Sequence, residues 1–275
     1  MSAQRNLNVL ITGGARGIGR GLVRHFLETG NQVYVLDSNK DEFQAKLFRK
    51  WAATSPDHLY TRTCDLSDRA QIKTEVKSMA EVFGGKLDVL INNAFATPHI
   101  WSDERTMEDE SEDIMAEWDI KIAVGLSAPF LLSRLCTPLL EAGGTKSSPG
   151  CIINISSTRA YQSELNHEAY SAAKAGLLGL TQSMAVSLGH RHKIRVNAVI
   201  PGWINVENEN RGADEKGIKW EDGLSREDMA WHPAGRVGKV EDVVKAVEYL
   251  VGAEFVTGQE ITIDGGVGRK MVYPE

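Results

Sequence analysis

Seven short apolar runs recur along the chain, and stretches with helical spacing lie between them. Residues 7–11 (LNVLI), 32–36 (QVYVL), 58–64 (HLYTRTC), 87–91 (LDVLI), 151–156 (CIINIS), 193–200 (KIRVNAVI) and 260–263 (EITI) read as strands, several too continuously apolar to have a solvated face. The intervening segments at 20–30, 40–53, from about Asp68 onward, 116–135, 168–188 and 241–251 carry apolar positions every three to four residues and read as helices. Strand alternating with helix over 275 residues predicts an α/β fold, a doubly wound parallel sheet with helices on both faces, in a single domain. A polar stretch at 203–233 interrupts the alternation and reads as a lid over a substrate site.

The first strand runs into Thr12-Gly13-Gly14-Ala15-Arg16-Gly17-Ile18-Gly19 and then a helix. Glycines there let the backbone approach a pyrophosphate, and the helix start offers unpaired N–H groups and partial positive charge to it. The spacing is Gly-x3-Gly-x-Gly rather than Gly-x-Gly-x2-Gly, yet the physics is the same. Asp37 closes the second strand, about 20 positions past the loop, where a carboxylate can bind the adenosine ribose hydroxyls. This favours NAD over NADP, because a 2′-phosphate would face a like charge. Arg16 points the other way, since a basic residue in the loop could contact that phosphate; Asp37 is weighed more heavily.

A second constellation lies in STRAYQSELNHEAYSAAK, which spaces Ser157, Tyr170 and Lys174 as Ser-x12-Tyr-x3-Lys. Tyr170 and Lys174 leave one face of an alanine-rich helix. A tyrosine titrates near ~10, and lowering it to ~7 takes roughly 4 kcal/mol, for which Lys174 is the obvious source. Ser157, at the end of a buried strand, could bind the oxygen of a carbonyl or alcohol.

Thr12-Gly-x3-Gly-Ile-Gly, Asn92-Asn93-Ala94, and Ser157, Tyr170 and Lys174 in that order resemble the single-domain branch of the short-chain dehydrogenase/reductase family over nearly the whole chain. The resemblance implies an oxidoreductase that transfers hydride between a nicotinamide cofactor and a carbonyl or secondary alcohol on a small molecule. In it Tyr170 is the acid/base, Lys174 its tuner, and Ser157 the oxygen ligand. It also implies a cofactor site of Gly13, Arg16, Gly17, Ile18, Gly19, Asp37, Asp65, Leu66, Asn92, Ala94, Pro201, Gly202 and Ile204, with Tyr170 and Lys174 at its reactive end. Asp65 would meet the adenine amino group, although it could instead cap the next helix. The Ile204 backbone would bind the carboxamide, and a homotetramer or dimer is expected.

Three departures from the family pattern matter. Phe95 stands where glycine is usual, Val206 where threonine is usual, and Gly125 where the family carries a catalytic asparagine. The expectation at Gly125 is that water takes the place of the missing amide. Alternatives to an NAD enzyme are an NADPH-dependent ketone reductase and a weakly active or non-catalytic dinucleotide-binding regulator.

Composition narrows the setting. A net charge of -6 argues against nucleic acid and anionic membranes as partners, and no transmembrane span is expected. Cys64, Cys136 and Cys151 read as core residues of a reducing compartment, with the cytoplasm as the default location. No metal is expected. The acidic stretch at 99–113 reads as a solvated loop, His99, His167 and His232 as bystanders, and Trp203 with the lid tryptophans as the walls of an apolar pocket.

Overall fold

The computed structural model describes residues 6–110, 113–146 and 148–271, so part of the acidic stretch, residues 111 and 112, lies outside the described residues. Strands β1 (Asn8–Thr12), β2 (Gln32–Asp37), β3 (Leu59–Thr63), β4 (Val89–Asn92), β5 (Cys151–Ile155), β6 (Arg195–Pro201) and β7 (Glu260–Ile263) form one sheet. All its pairings are parallel, in the order β3-β2-β1-β4-β5-β6-β7. The chain winds outward from β1 to β3 and then crosses to β4, so the order reverses between β1 and β4. At such a reversal a doubly wound sheet forms a crevice at the carboxyl ends of the two strands.

Helices α1 (Gly17–Glu28), α2 (Lys46–Thr54) and α9 (Val240–Gly252) cover one face of the sheet. There Leu22, Phe26, Phe48, Val243 and Val247 pack on Val9, Ile11, Val33 and Ile153. Helices α3 (Arg69–Val82), α5 (Ala128–Gly143) and α6 (Glu168–His192) cover the other, where Ile72, Leu132, Cys136 and Leu140 meet Leu10, Tyr34, Leu90 and Ile152. Val9 and Ile11 against Leu10 show the two-residue period of a strand buried on both faces. The three cysteines are buried and free.

Several predicted elements differ in detail. The helix expected at 40–53 is split into a 3-10 turn, Glu42–Gln44, and α2, because the Asn39 side chain accepts from the amides of Asp41 and Glu42 and competes with helical bonding. Asp68, not Asp65, caps α3, accepting from the amides of Ala70 and Gln71. The helix expected at 116–135 is α4 (Asp113–Ile122), a π-helical turn at Ala123–Ser127, and α5. Pro129, near the start of α5, has no N–H to donate to the preceding turn, which is where the regular ladder gives way. By length and composition the stretch Ile114–Gly143 could cross a bilayer, contrary to the expectation of no candidate span. Its apolarity has another use here, since Leu132, Cys136 and Leu140 lie in the core. The polar stretch at 203–233 contains α7 (Arg211–Lys216) and α8 (Arg226–Trp231).

Helices α1 and α9 touch where Gly21 faces Val240: a Cβ at Gly21 would lie 1.9 Å from Val240 Cγ1, a stiff β-branched and buried side chain. Gly21→Ala should therefore overpack this contact and cost about 1–3 kcal/mol despite the better helix propensity of alanine. A lower melting temperature in calorimetry is the expected reading, and an unchanged one would mean that the helices separate freely.

Candidate active site

The glycine turn leaves β1 and meets the turn after β4 at close quarters. Gly13 has φ of +64°, and a Cβ on it would lie 2.7 Å from Ala94 Cα; a Cβ on Gly19 would lie 2.1 Å from the Gly13 carbonyl oxygen. Asn93 fixes this approach: its side-chain amide donates to the carbonyls of Thr12 and Gly13, each at 3.0 Å, and its backbone N–H donates to Thr12 Oγ1 at 3.0 Å. Ala94 N–H donates to the same hydroxyl at 3.1 Å. The sequence reading counted Asn93 in a motif without a role; it is the staple of the cleft. Ile18 and Gly19 lie in the first turn of α1, where backbone amides face an anion. Gly17 N–H donates to the Glu209 carbonyl at 2.8 Å, and Val206 packs near Gly17, so the start of the predicted lid lies on the glycine turn.

Asp37, at the end of β2, is buried and holds the turn. Its carboxylate accepts from Ala15 N–H at 3.0 Å and Asn39 N–H at 2.9 Å. A carboxylate has about four acceptor sites, so two bonds leave capacity for ribose hydroxyls. Arg16 reaches away from Asp37, donating to Thr97 Oγ1 at 2.9 Å beyond β4. Asp65 is exposed and accepts from Ser67, beside the buried Leu66. Asn92 departs from the expectation: its side chain is buried in the sheet, donating to Asn154 Oδ1 at 2.8 Å, so only its backbone is left to face the cleft. At the end of β6, Gly202 lies against Asp264, which a Cβ would meet at 2.8 Å. The bridge from Ile204 to Gly238 uses the Trp203 carbonyl and the Asn205 amide rather than the polar groups of Ile204 itself. These residues fit a dinucleotide: a close-approach glycine turn, a helix start and an acceptor at the end of β2.

Ser157, Tyr170 and Lys174 converge at the end of β5. Ser157 stands close enough to the Tyr170 phenol to oppose the rise of its pKa, and Lys174 Nζ lies 5.5 Å from the Tyr170 ring centre. Lys174 is buried and donates to the Ile155 carbonyl at 2.8 Å. Ser156 bonds the Lys174 carbonyl at 2.7 Å, tying α6 to β5. Burial dominates the electrostatics. It raises the Tyr170 pKa, opposed by Ser157 and the charge of Arg159, and it pushes the Lys174 ammonium down to about 7. The expected lowering of Tyr170 by Lys174 is not seen: burial sets the direction, Ser157 and Arg159 are what oppose it, and a lysine stripped of water itself resists charge.

The acidic stretch is solvated along its carboxylates, with Asp103, Glu104, Glu108, Asp109 and Glu110 exposed, but its start is anchored to the site. Trp101 is buried and donates through Nε1 to Glu168 at 2.8 Å, two residues before Tyr170. Buried Lys121 pairs with Glu117 at 2.7 Å and lies 5.2 Å over the Trp101 ring, while Glu117 also pairs with Arg105 and accepts from Ser102. This fastening brings His99 onto Tyr170 with ring centres 4.5 Å apart and nearly parallel planes. Solvent still reaches His99, but its desolvated face, then the charges of Lys174 and His167, lower its pKa to about 4, so it is neutral at pH 7. His99 is thus no bystander. The aromatic residues within FATPHIW were the signal available in the sequence.

Gly125 also departs from expectation. Its missing side chain is replaced by a ring rather than water: a Cβ there would lie 2.6 Å from Phe95 Cε2 and 3.0 Å from Ala173 Cβ. Among the tryptophans of the 203–233 stretch, Trp220 is pinned by Nε1 to the Gly238 carbonyl at 3.1 Å, with Lys239 4.2 Å over its ring. Trp203 remains partly exposed, 5.9 Å from His232.

A family model described as "Enoyl-(Acyl carrier protein) reductase" matches residues 13–268. An uncharacterized oxidoreductase of Thermotoga maritima is 36% identical over 272 residues, covering 97% of each chain. The 3-oxoacyl-[acyl-carrier-protein] reductase of the same organism is 34% identical, covering 94% of this chain and 96% of the relative. The solved structure of an apo SCOR enzyme from Clostridium thermocellum superposes with a TM-score of 0.78 at 34% identity, over 98% of this chain and 96% of that one.

The depressed Lys174 pKa has a measurable sign. Between about pH 7 and 10 the folded protein holds Lys174 neutral while the unfolded chain binds its proton, so stability rises with pH through this window. Stability of the wild type relative to Lys174→Met should increase across it in denaturant titrations without added nucleotide. A flat difference would mean that Lys174 stays charged.

Proposed function

The chain belongs to the short-chain dehydrogenase/reductase family, and we propose that it transfers hydride between NAD and a carbonyl or secondary alcohol of a small molecule, with Tyr170 as acid/base. The observation that carries this reading is the convergence of Ser157 and Lys174 on Tyr170 at the end of β5, beside the glycine turn. A nicotinamide, when bound, supplies or accepts the hydride. The protein supplies the rest. Ser157 would hold the reacting oxygen beside the Tyr170 phenol, so that a proton passes between the phenol and that oxygen over one hydrogen bond. Tyr170 gives that proton when a carbonyl is reduced and takes it back when an alcohol is oxidised. Lys174, anchored to the Ile155 carbonyl, has further N–H groups to hold the nicotinamide ribose and stabilise a phenolate. The relative whose name gives it a 3-oxoacyl group to reduce supports a carbonyl as the substrate group.

Asp37 and Arg16 support NAD as the cofactor. Asp37 faces the place of the adenosine ribose at the end of β2, whereas Arg16 is engaged with Thr97 past β4 and leaves the carboxylate unopposed. Titration of intrinsic tryptophan fluorescence should give NAD at least about ten-fold tighter binding than NADP, about 1.4 kcal/mol, and Asp37→Ala should shrink that ratio. Equal or reversed affinities would show that Arg16 governs the choice.

Turnover on a panel of alcohols and ketones, followed by nicotinamide absorbance, tests the catalytic assignment. Tyr170→Phe should remove turnover and leave NAD affinity nearly intact; Lys174→Ala should weaken both, since the lysine both binds and tunes. Substantial turnover by Tyr170→Phe would end the proposed acid/base role.

A further inference from the structure

We propose that Phe95 is a positioning residue for the Tyr170 and Lys174 pair, seated by a gap that the π-helical turn opens at Gly125. The proposal rests on reading that pair as the acid/base machinery. Phe95 meets the Tyr170 ring edge to face, with centres 4.7 Å apart and planes at 83°. Lys174 Nζ lies 5.4 Å from the same Phe95 ring centre. One side chain thus contacts both members of the pair, and neither contact was built from α6 itself.

The seat is made without a side chain. A Cβ at Gly125 would lie 2.6 and 2.8 Å from Phe95 Cε2 and Cδ2, inside any tolerable carbon contact, and 3.0 Å from Ala173 Cβ. Ala173 is fully buried on α6 immediately before Lys174, so the ring is wedged between the π-helical turn and the helix that carries the pair. Phe95 cannot retreat toward Gly125, and Tyr170 cannot turn toward it. His99 closes the arrangement: it stacks on Tyr170 at 4.5 Å and lies 5.7 Å from Phe95. Phe95 and His99 therefore restrain the Tyr170 ring from one loop.

An aromatic wall here has two consequences. Its face attracts Lys174 while the lysine is charged, below about pH 7, and its bulk keeps water from the pair. The charged or titratable groups around the pair are Arg16 from the glycine turn, His99 after β4, Lys121 of α4, and Arg159 and His167 before Tyr170. No carboxylate acts on Tyr170 from these elements, so admitting water is the main effect of removing the ring, and it favours the phenolate.

Two measurements that need no substrate test the proposal. In melting experiments Gly125→Ala should lower the melting temperature of the wild type, and do so much less or not at all in a Phe95→Ala background. Phenolate absorbance, taken as the difference between each protein and its Tyr170→Phe counterpart over the pH range in which circular dichroism shows the fold intact, isolates Tyr170. Its titration should move down by about one pH unit, ten-fold in ionisation constant, in Phe95→Ala. Phe95→Leu, which keeps most of the volume without the ring, serves in both measurements if Phe95→Ala does not fold. Equal destabilisation by Gly125→Ala in both backgrounds, or an unmoved Tyr170 titration, would overturn the proposal. A panel without turnover would instead overturn the dehydrogenase reading and leave these two results standing.

Discussion

The site depends on a contact made between backbones. Helix α1 leaves β1 so close to the turn after β4 that Gly13 and Gly19 have no room for a Cβ, and Asn93 holds the two turns together with three hydrogen bonds. The sheet order reverses between these strands, so the contact defines the floor of the cleft. Asp37 extends it sideways through Ala15, and Gly17 extends it upward to the Glu209 carbonyl. Anything that separated the two turns would displace the start of α1, Asp37 and the segment around Glu209 together.

On this floor stand polar groups that the fold has dried. Asn154 is fully buried yet joins Asn92 and Thr181, bonding β5 to β4 and to α6. Lys174 is buried one turn beyond Tyr170 on that same α6. Dry surroundings make each satisfied bond more directional and each unpaired charge more costly. The site accordingly tunes by exclusion of water: Tyr170 is pushed up and Lys174 down by burial alone, and Ser157 and Arg159 work against it. A negatively charged group near Lys174 would have a large effect in such a setting, because little solvent screens it.

The strands, their order of use and the three residues at the end of β5 were legible from the sequence, because period, glycine spacing and strand ends are local signals. What escaped was set by contacts between distant parts. The 3-10 break before α2 follows from Asn39 side-chain bonds, which compete with a helix that the pattern alone supports. Asn92 carries the polarity of a site residue, but its register opposite Asn154 turns it into the sheet. Gly125 looked like a vacancy, and only the fold shows that a residue thirty positions earlier fills it. His99 and Trp101 lay in a run whose charge suggested solvent, although Lys121 and Glu168 draw that run onto the site.

Two ion clusters complete the argument about what is fixed. Buried Arg20 on α1 pairs with Asp214 at 2.5 Å and with Glu209, which Arg24 also holds at 2.7 Å, so the first half of the lid is fastened over the glycine turn. Lys121, Glu117 and Arg105 fasten the loop that bears Phe95 and His99. Breaking a buried pair from one side leaves an unmatched charge at a cost of about 3–5 kcal/mol, which makes both fastenings stiff. Outside both clusters, Tyr161, Leu165, Trp203 and Trp231 expose large apolar side chains. The fold thus commits its buried charge to holding the glycine turn and the loop beside Tyr170 and Lys174, while the exposed apolar side chains can change without disturbing either.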